Sequence, residues 1–272
     1  MANINQFRVV LLCLISLALM LGSVSHVNAQ EGLPPLTEYN QDFNTLASTP
    51  DGGTTNTGIP NGWTFVEFDS NADTNYRIDE GSNNQGDTYS YGSVDETDRA
   101  FGALNSGSLQ SSLGVEFQNN TGGTIGQLAI SYYCEMWRQG STGRTDRLDF
   151  QYSTDATSLT DGTWIDFDSL DCLGTDTGST GAKDGNTQRS LINGTITGLS
   201  IADGETFWLR WTTYDASSSD DGLAIDDFVM NEFTPNAITL STLTAEAATS
   251  PALLIASVLL LGAAIVWRRK RA

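Results

Sequence analysis

Apolar and polar side chains alternate with period two in short bursts separated by clusters of Gly, Asn, Asp, Ser and Thr. This limits the middle of the 272-residue chain to β-structure. Leu148, Phe150 and Tyr152 point one way while Asp149, Gln151 and Ser153 point the other, and Phe207, Leu209 and Trp211 oppose Trp208, Arg210 and Thr212. A helical period of useful length is missing. Strands are predicted over 63–68, 127–138, 147–153, 164–167, 191–196, 206–212 and 223–230, with weaker signals at 100–104 and 113–117. Asn61-Gly62, Asp161-Gly162, Asn193-Gly194, Asp203-Gly204 and Asp221-Gly222 supply the turns between them. The expected architecture is all-β: a two-sheet antiparallel β-sandwich of the jelly-roll kind. Two stretches, 69–97 and 172–188, read as long acidic loops, either disordered or ordered by a cation.

The two ends have a different character. Arg8 precedes an apolar run over 9–21, and Val27-Asn28-Ala29 supplies the small residues of a cleavage site, so 1–29 is predicted to be a secretory signal peptide. Residues 252–267 form a second apolar run that ends at Trp267 and is followed by Arg268, Arg269, Lys270 and Arg271. That is a stop-transfer pattern, predicting a transmembrane anchor over 252–267 with the basic tail 268–272 in the cytoplasm. Between these ends lie a β-sandwich ectodomain, 30–231, and a Thr/Ala/Ser-rich stalk, 232–251. The expected location is the cell surface.

Composition narrows the chemistry. All 33 acidic residues but only eight of the 13 basic ones lie between the signal and the anchor, which leaves the exported part near −25. Such a field repels nucleic acid and anionic lipid, so no nucleic-acid partner is expected. The only histidine, His26, falls in the signal peptide, removing His-based triads and His-ligated zinc from the mature chain. Carboxylates remain as the abundant catalytic groups, and glycoside hydrolysis is the chemistry that needs nothing else. Glu135 is the candidate for that alternative. Two cysteines remain after the signal, Cys134 and Cys172. In an oxidising compartment they either bridge, closing a loop of about 38 residues for about 3 to 4 kcal/mol of stability, or stay as buried thiols.

In Ala224-Ile225-Asp226-Asp227-Phe228-Val229 two adjacent acids sit in an apolar frame; on a regular strand they face opposite sides. A buried aspartate there needs a metal, an arginine or several N–H groups. The segment resembles the closing strand of bacterial jelly-roll domains of the carbohydrate-binding and MAM-like kind, with Asp42-Phe43-Asn44 as the first-strand counterpart. The resemblance extends over Asp98-Arg99-Ala100-Phe101-Gly102 and Glu135-Met136-Trp137-Arg138. It implies a structural calcium with Asp42, Asn44 and Asp226 as candidate ligands, and no defined enzymatic activity. The C-terminal end is similar to bacterial sorting signals in its helix and Arg-rich tail, but Ala248-Thr249-Ser250-Pro251 stands where a short sorting motif is expected. Trp208, beside Arg210 and opposite the apolar face, is the candidate stacking platform for a sugar. The functional expectation is a non-enzymatic, calcium-stabilised surface module for adhesion or glycan contact. The alternatives are a carboxylate-dependent glycan hydrolase and a purely structural surface-layer or matrix component.

Overall fold

Every strongly alternating segment becomes a strand in the computed structural model, which describes residues 38–231. In chain order the strands are β1 (Tyr39–Gln41), β2 (Thr54–Thr55), β3 (Trp63–Phe68), β4 (Tyr76–Asp79), β5 (Asp87–Tyr91), β6 (Ala100–Leu104), β7 (Gln110–Gln118), β8 (Ile125–Gln139), β9 (Arg147–Ser153), β10 (Ile165–Asp166), β11 (Cys172–Leu173), β12 (Gly181–Ala182), β13 (Arg189–Ile201), β14 (Thr206–Thr213) and β15 (Gly222–Asn231). A single 3-10 turn, Asp168–Leu170, precedes β11. No helix among the described residues is long and apolar enough to cross a membrane. The expected signal peptide, stalk, anchor and tail lie outside the described residues.

Two sheets form. The larger has nine strands in the order β12-β8-β15-β6-β5-β4-β2, with β13 also beside β8 and β1 beside β15. The smaller runs β10-β9-β14-β7-β3, with β11 beside β9. Their facing sides are the ones that alternation predicts: Leu148, Phe150, Leu209 and Trp211 of the small sheet meet Ile130, Tyr132, Ile225 and Phe228 of the large one. Trp63 stacks on Trp211 at 5.8 Å, and Phe228 packs edge-on against both rings. Burying each such aromatic contributes about 1.5 to 3 kcal/mol. Cys134 on β8 and Cys172 on β11 form a disulfide that ties the large sheet to the small one.

Two expectations change. The segment 69–97 is not one long loop: it contains β4 and β5, which pair in parallel, so the large sheet is mixed rather than wholly antiparallel. The connection between them travels out to β8, where Arg138 Nη1 donates to the carbonyls of Gly81 at 3.0 Å and Ser82 at 3.2 Å. A chain that makes this excursion returns in the direction it left. Residues 172–188 likewise contain the short strands β11 and β12.

The second change concerns the paired acids. The register of β15 on β8 slips between Asp226, opposite Tyr133, and Val229, opposite Ser131, so one extra residue is accommodated. Asp227 takes φ +47 at this bulge and its side chain is 51% exposed. The slip reverses the facing of the strand, so that Phe228 and Met230 enter the same core as Leu223 and Ile225. Neither acid therefore faces the core between the sheets.

Candidate functional site

The outer face of the large sheet carries a second buried layer. Tyr89 stacks on Tyr91 at 4.6 Å and Tyr91 on Trp137 at 6.0 Å, with Ala100, Leu104 and Ala224 beneath. Two glycines bring covering backbone onto Trp137. A Cβ on Gly81, which has φ +89, would lie 1.9 Å from the Trp137 carbonyl oxygen, and one on Gly185 would lie 2.3 Å from the indole.

Next to this layer sits a pair of buried carboxyl groups. Glu135 on β8 stands opposite Ala224, and Asp226 follows two residues later on β15, so the two side chains are diagonal neighbours on one face. Glu135 Oε2 accepts from Trp137 Nε1 at 2.9 Å, while Oε1 is buried without a hydrogen-bond partner, as is Asp226 Oδ1. Arg189 of β13 is the nearby cation: its Nη1 lies 3.8 Å from Glu135 and 3.7 Å from Asp227, and its guanidinium covers the Tyr133 ring at 4.0 Å. One partly exposed guanidinium does not offset this much charge. Burial, and then the charge of Glu135, push the Asp226 carboxyl up to about 9. Burial likewise pushes Glu135 up to about 7, against the Trp137 hydrogen bond and Arg189.

The three expected calcium ligands are placed differently from one another. Asp226 is buried with a free oxygen. Asn44 is exposed and its Oδ1 accepts from the Arg99 N–H at 2.8 Å, while Asp42 is exposed and accepts from the Asn44 N–H at 3.2 Å. Among the described residues no three His, Cys, Asp or Glu side chains converge closely enough to hold an ion by themselves. Glu135, read in the sequence as the candidate catalytic acid, is the group that stands with Asp226. Its full burial closes it to any glycosidic oxygen.

The binding platform expected at Trp208 requires correction. Alternation places Trp208 correctly on the outer face of β14, but it is only 6% exposed because Ala156 and Leu159, from the segment after β9, fold over it with Val66 and Trp164 alongside. Arg210 is engaged too. It lies 3.8 Å over the Trp164 ring and donates to Gln151 Oε1 and the Leu159 carbonyl, both at 2.7 Å. A sugar ring therefore cannot stack on Trp208 without displacing this cover.

Open space lies at the end of the sandwich where β6 and β8 finish and β15 begins. A cleft of about 610 Å³ is lined there by Asn84, Asn105, Arg138, Thr180, Asp215 and Asp220, with the serine run 217–219 on its rim. That volume suits a small ligand. Leu104 and Ala216 are the only apolar side chains in its lining. One local and one long-range bond set the walls: Asp220 Oδ1 accepts from the Ala216 N–H at 3.0 Å, and Thr213 Oγ1 donates to Asn105 Oδ1 at 3.1 Å. Asn84 and Asp215 stay exposed. Burial raises the Asp220 carboxyl above its ordinary range. The sequence signal for this cleft was faint, since its residues come from five separate segments of the chain.

No protein-family model and no curated protein matches this chain. Among solved structures it is similar to the K3 cleaved adhesin domain of Lys-gingipain from Porphyromonas gingivalis w83, at 14% identity and a TM-score of 0.40, over 71% of this chain and 98% of that one. It is also similar to the C-terminal family 22 carbohydrate-binding module of Clostridium thermocellum Xyn10B, at 9% identity and a TM-score of 0.39, over 72% and 94%. The fold is a β-sandwich in its own right.

Proposed function

We propose that this protein is an exported, membrane-anchored surface module that makes contact with neutral glycans and performs no catalysis. The polar end cleft carries this reading. Its walls offer amide, hydroxyl, guanidinium and carboxylate groups that donate and accept in turn, as a polyhydroxylated ligand requires, and only Leu104 and Ala216 offer apolar side chains. Asp215 and Asp220 disfavour uronic or sulfated sugars. An array of neutral and acidic oligosaccharides tests it, followed by titration calorimetry on the full chain. Binding confined to neutral sugars, weakened about tenfold by Asn84→Ala or Asp215→Ala, is expected from the loss of one or two hydrogen bonds worth about 1 kcal/mol each. Silence across the array, or binding untouched by both substitutions, counts against it.

Calcium belongs to the same reading as a stabiliser. Its support is the pair of buried carboxylate oxygens without partners, Glu135 Oε1 and Asp226 Oδ1, together with the oxygen-only chemistry calcium prefers. Bound there, the ion would neutralise two acids that otherwise hold protons. The expected outcome is a rise in Tm with added calcium that disappears in Glu135→Gln and in Asp226→Asn. An unchanged Tm in the unsubstituted chain removes the ion from the proposal.

A further inference from the structure

Of all the sheet edges, β13 is the one left most open. It pairs with β8 alone, and among the described residues no other backbone or side chain bonds to the outward edge of residues 190–200. The other edge strands are short or charged: β2, β10, β11 and β12 have two residues each, β1 has three, and β3 has six and includes Glu67. Nine residues of β13, from Arg189 through Thr197, run flush along β8 before the register slips, a straight edge of about 30 Å. Unprotected edges of that length are templates for another strand, and proteins ordinarily blunt them with Lys, Glu or Pro. Here residues 190–201 contain no charged side chain and no proline.

We infer that β13 is a self-association edge that pairs antiparallel with β13 of a second copy of this chain. Charge leaves this edge open to a second copy. The chain has a net charge of −20, so two copies repel one another wherever their carboxylates meet, and this edge is a long stretch that brings none. The two-fold register that uses all nine flush residues is centred on Asn193. It sets Arg189 opposite Thr197, Leu191 opposite Thr195 and Ile192 opposite Gly194, so no like charges face each other. Leu191, 56% exposed, would be covered across the joint. The inner row, Ile192 and Ile196, already belongs to the core, which fixes the strand in the pose a partner would meet. This inference stands independently of the glycan reading.

The test is the mass of the full chain by sedimentation equilibrium in density-matched detergent, in the unsubstituted form and as Asn193→Asp. That substitution is nearly isosteric, falls on an exposed side chain, and places two carboxylates against each other at the symmetry axis. A dimer reduced to monomer by Asn193→Asp is expected. In a Cys13→Ser background, Asn193→Cys should form an intermolecular disulfide, whereas Ser200→Cys should not. A monomeric unsubstituted chain overturns the inference, and so does a dimer indifferent to Asn193→Asp. Thermal unfolding of Asn193→Asp, expected unchanged at dilutions where both forms are monomeric, separates loss of pairing from loss of fold.

Discussion

Asp87 lies 3.0 Å from the guanidinium of Arg77 and still favours its proton: burial, and then the charge of Glu67, push it up to about 7. Glu67 is committed elsewhere, accepting from the N–H and hydroxyl of Thr88 at 2.8 Å and from the Asp73 N–H at 2.9 Å. A carboxyl raised in the folded state above its ordinary 3.8 binds an extra proton on folding. Its contribution to stability is complete below about pH 4 and is lost as pH climbs through about 7. Asp87→Asn is therefore expected to flatten the fall in Tm between those limits, and a pH series of melting curves on both forms checks this. Trp208 shows how far a single residue can be read from sequence. Its side of the strand follows from parity, but its burial depends on Ala156 and Leu159, distant in sequence and neither of them part of an alternating run. Glu135 was legible as a candidate catalytic acid, whereas its companionship with Asp226 depends on strand order, which one sequence does not reveal.

Strands whose apolar face meets the opposite sheet were readable from alternation; β3 and β9 begin and end where the pattern does. Besides the two-residue β2, β11 and β12, the strands overlooked were β4 and β5. Tyr76 and Ile78 alternate with Arg77 and Asp79, but four and five residues among so many Gly, Asn and Asp give a weak signal, and the aromatic rings of β5 face a layer outside the main core. The bulge in β15 was hidden for another reason: an unbroken apolar-acid-acid-apolar run is compatible with a regular strand until the core demands Phe228 and Met230 on one side. The crossing between β4 and β5 gives a prediction at this level. Gly81→Ala forces a Cβ into the Trp137 carbonyl at a left-handed backbone position, and a loss of about 2 kcal/mol or more is expected in urea unfolding. Gly107→Ala, where the added carbon meets nothing, serves as the control.

For the molecule as a whole, the Cys134–Cys172 bridge closes a separation of 38 residues and joins the two layers, so replacing both cysteines by Ala should cost about 3 to 4 kcal/mol in chemical unfolding. The architecture also has a direction. β15 starts beside the polar cleft, opposite Arg138 and Leu104, and finishes nine residues later opposite Ala129. It is held by β8 along this course, by β6 near its start and by β1 near its end. Tension applied between a particle gripped at the cleft and whatever lies beyond Asn231 would pull along this one strand. Its ladders would be loaded in shear, with their hydrogen bonds sharing the strain together instead of opening one after another. If the cleft grips a ligand as proposed, a central strand with neighbours on both sides is placed to act as the tendon of the module, passing traction from the cleft to the end at Asn231.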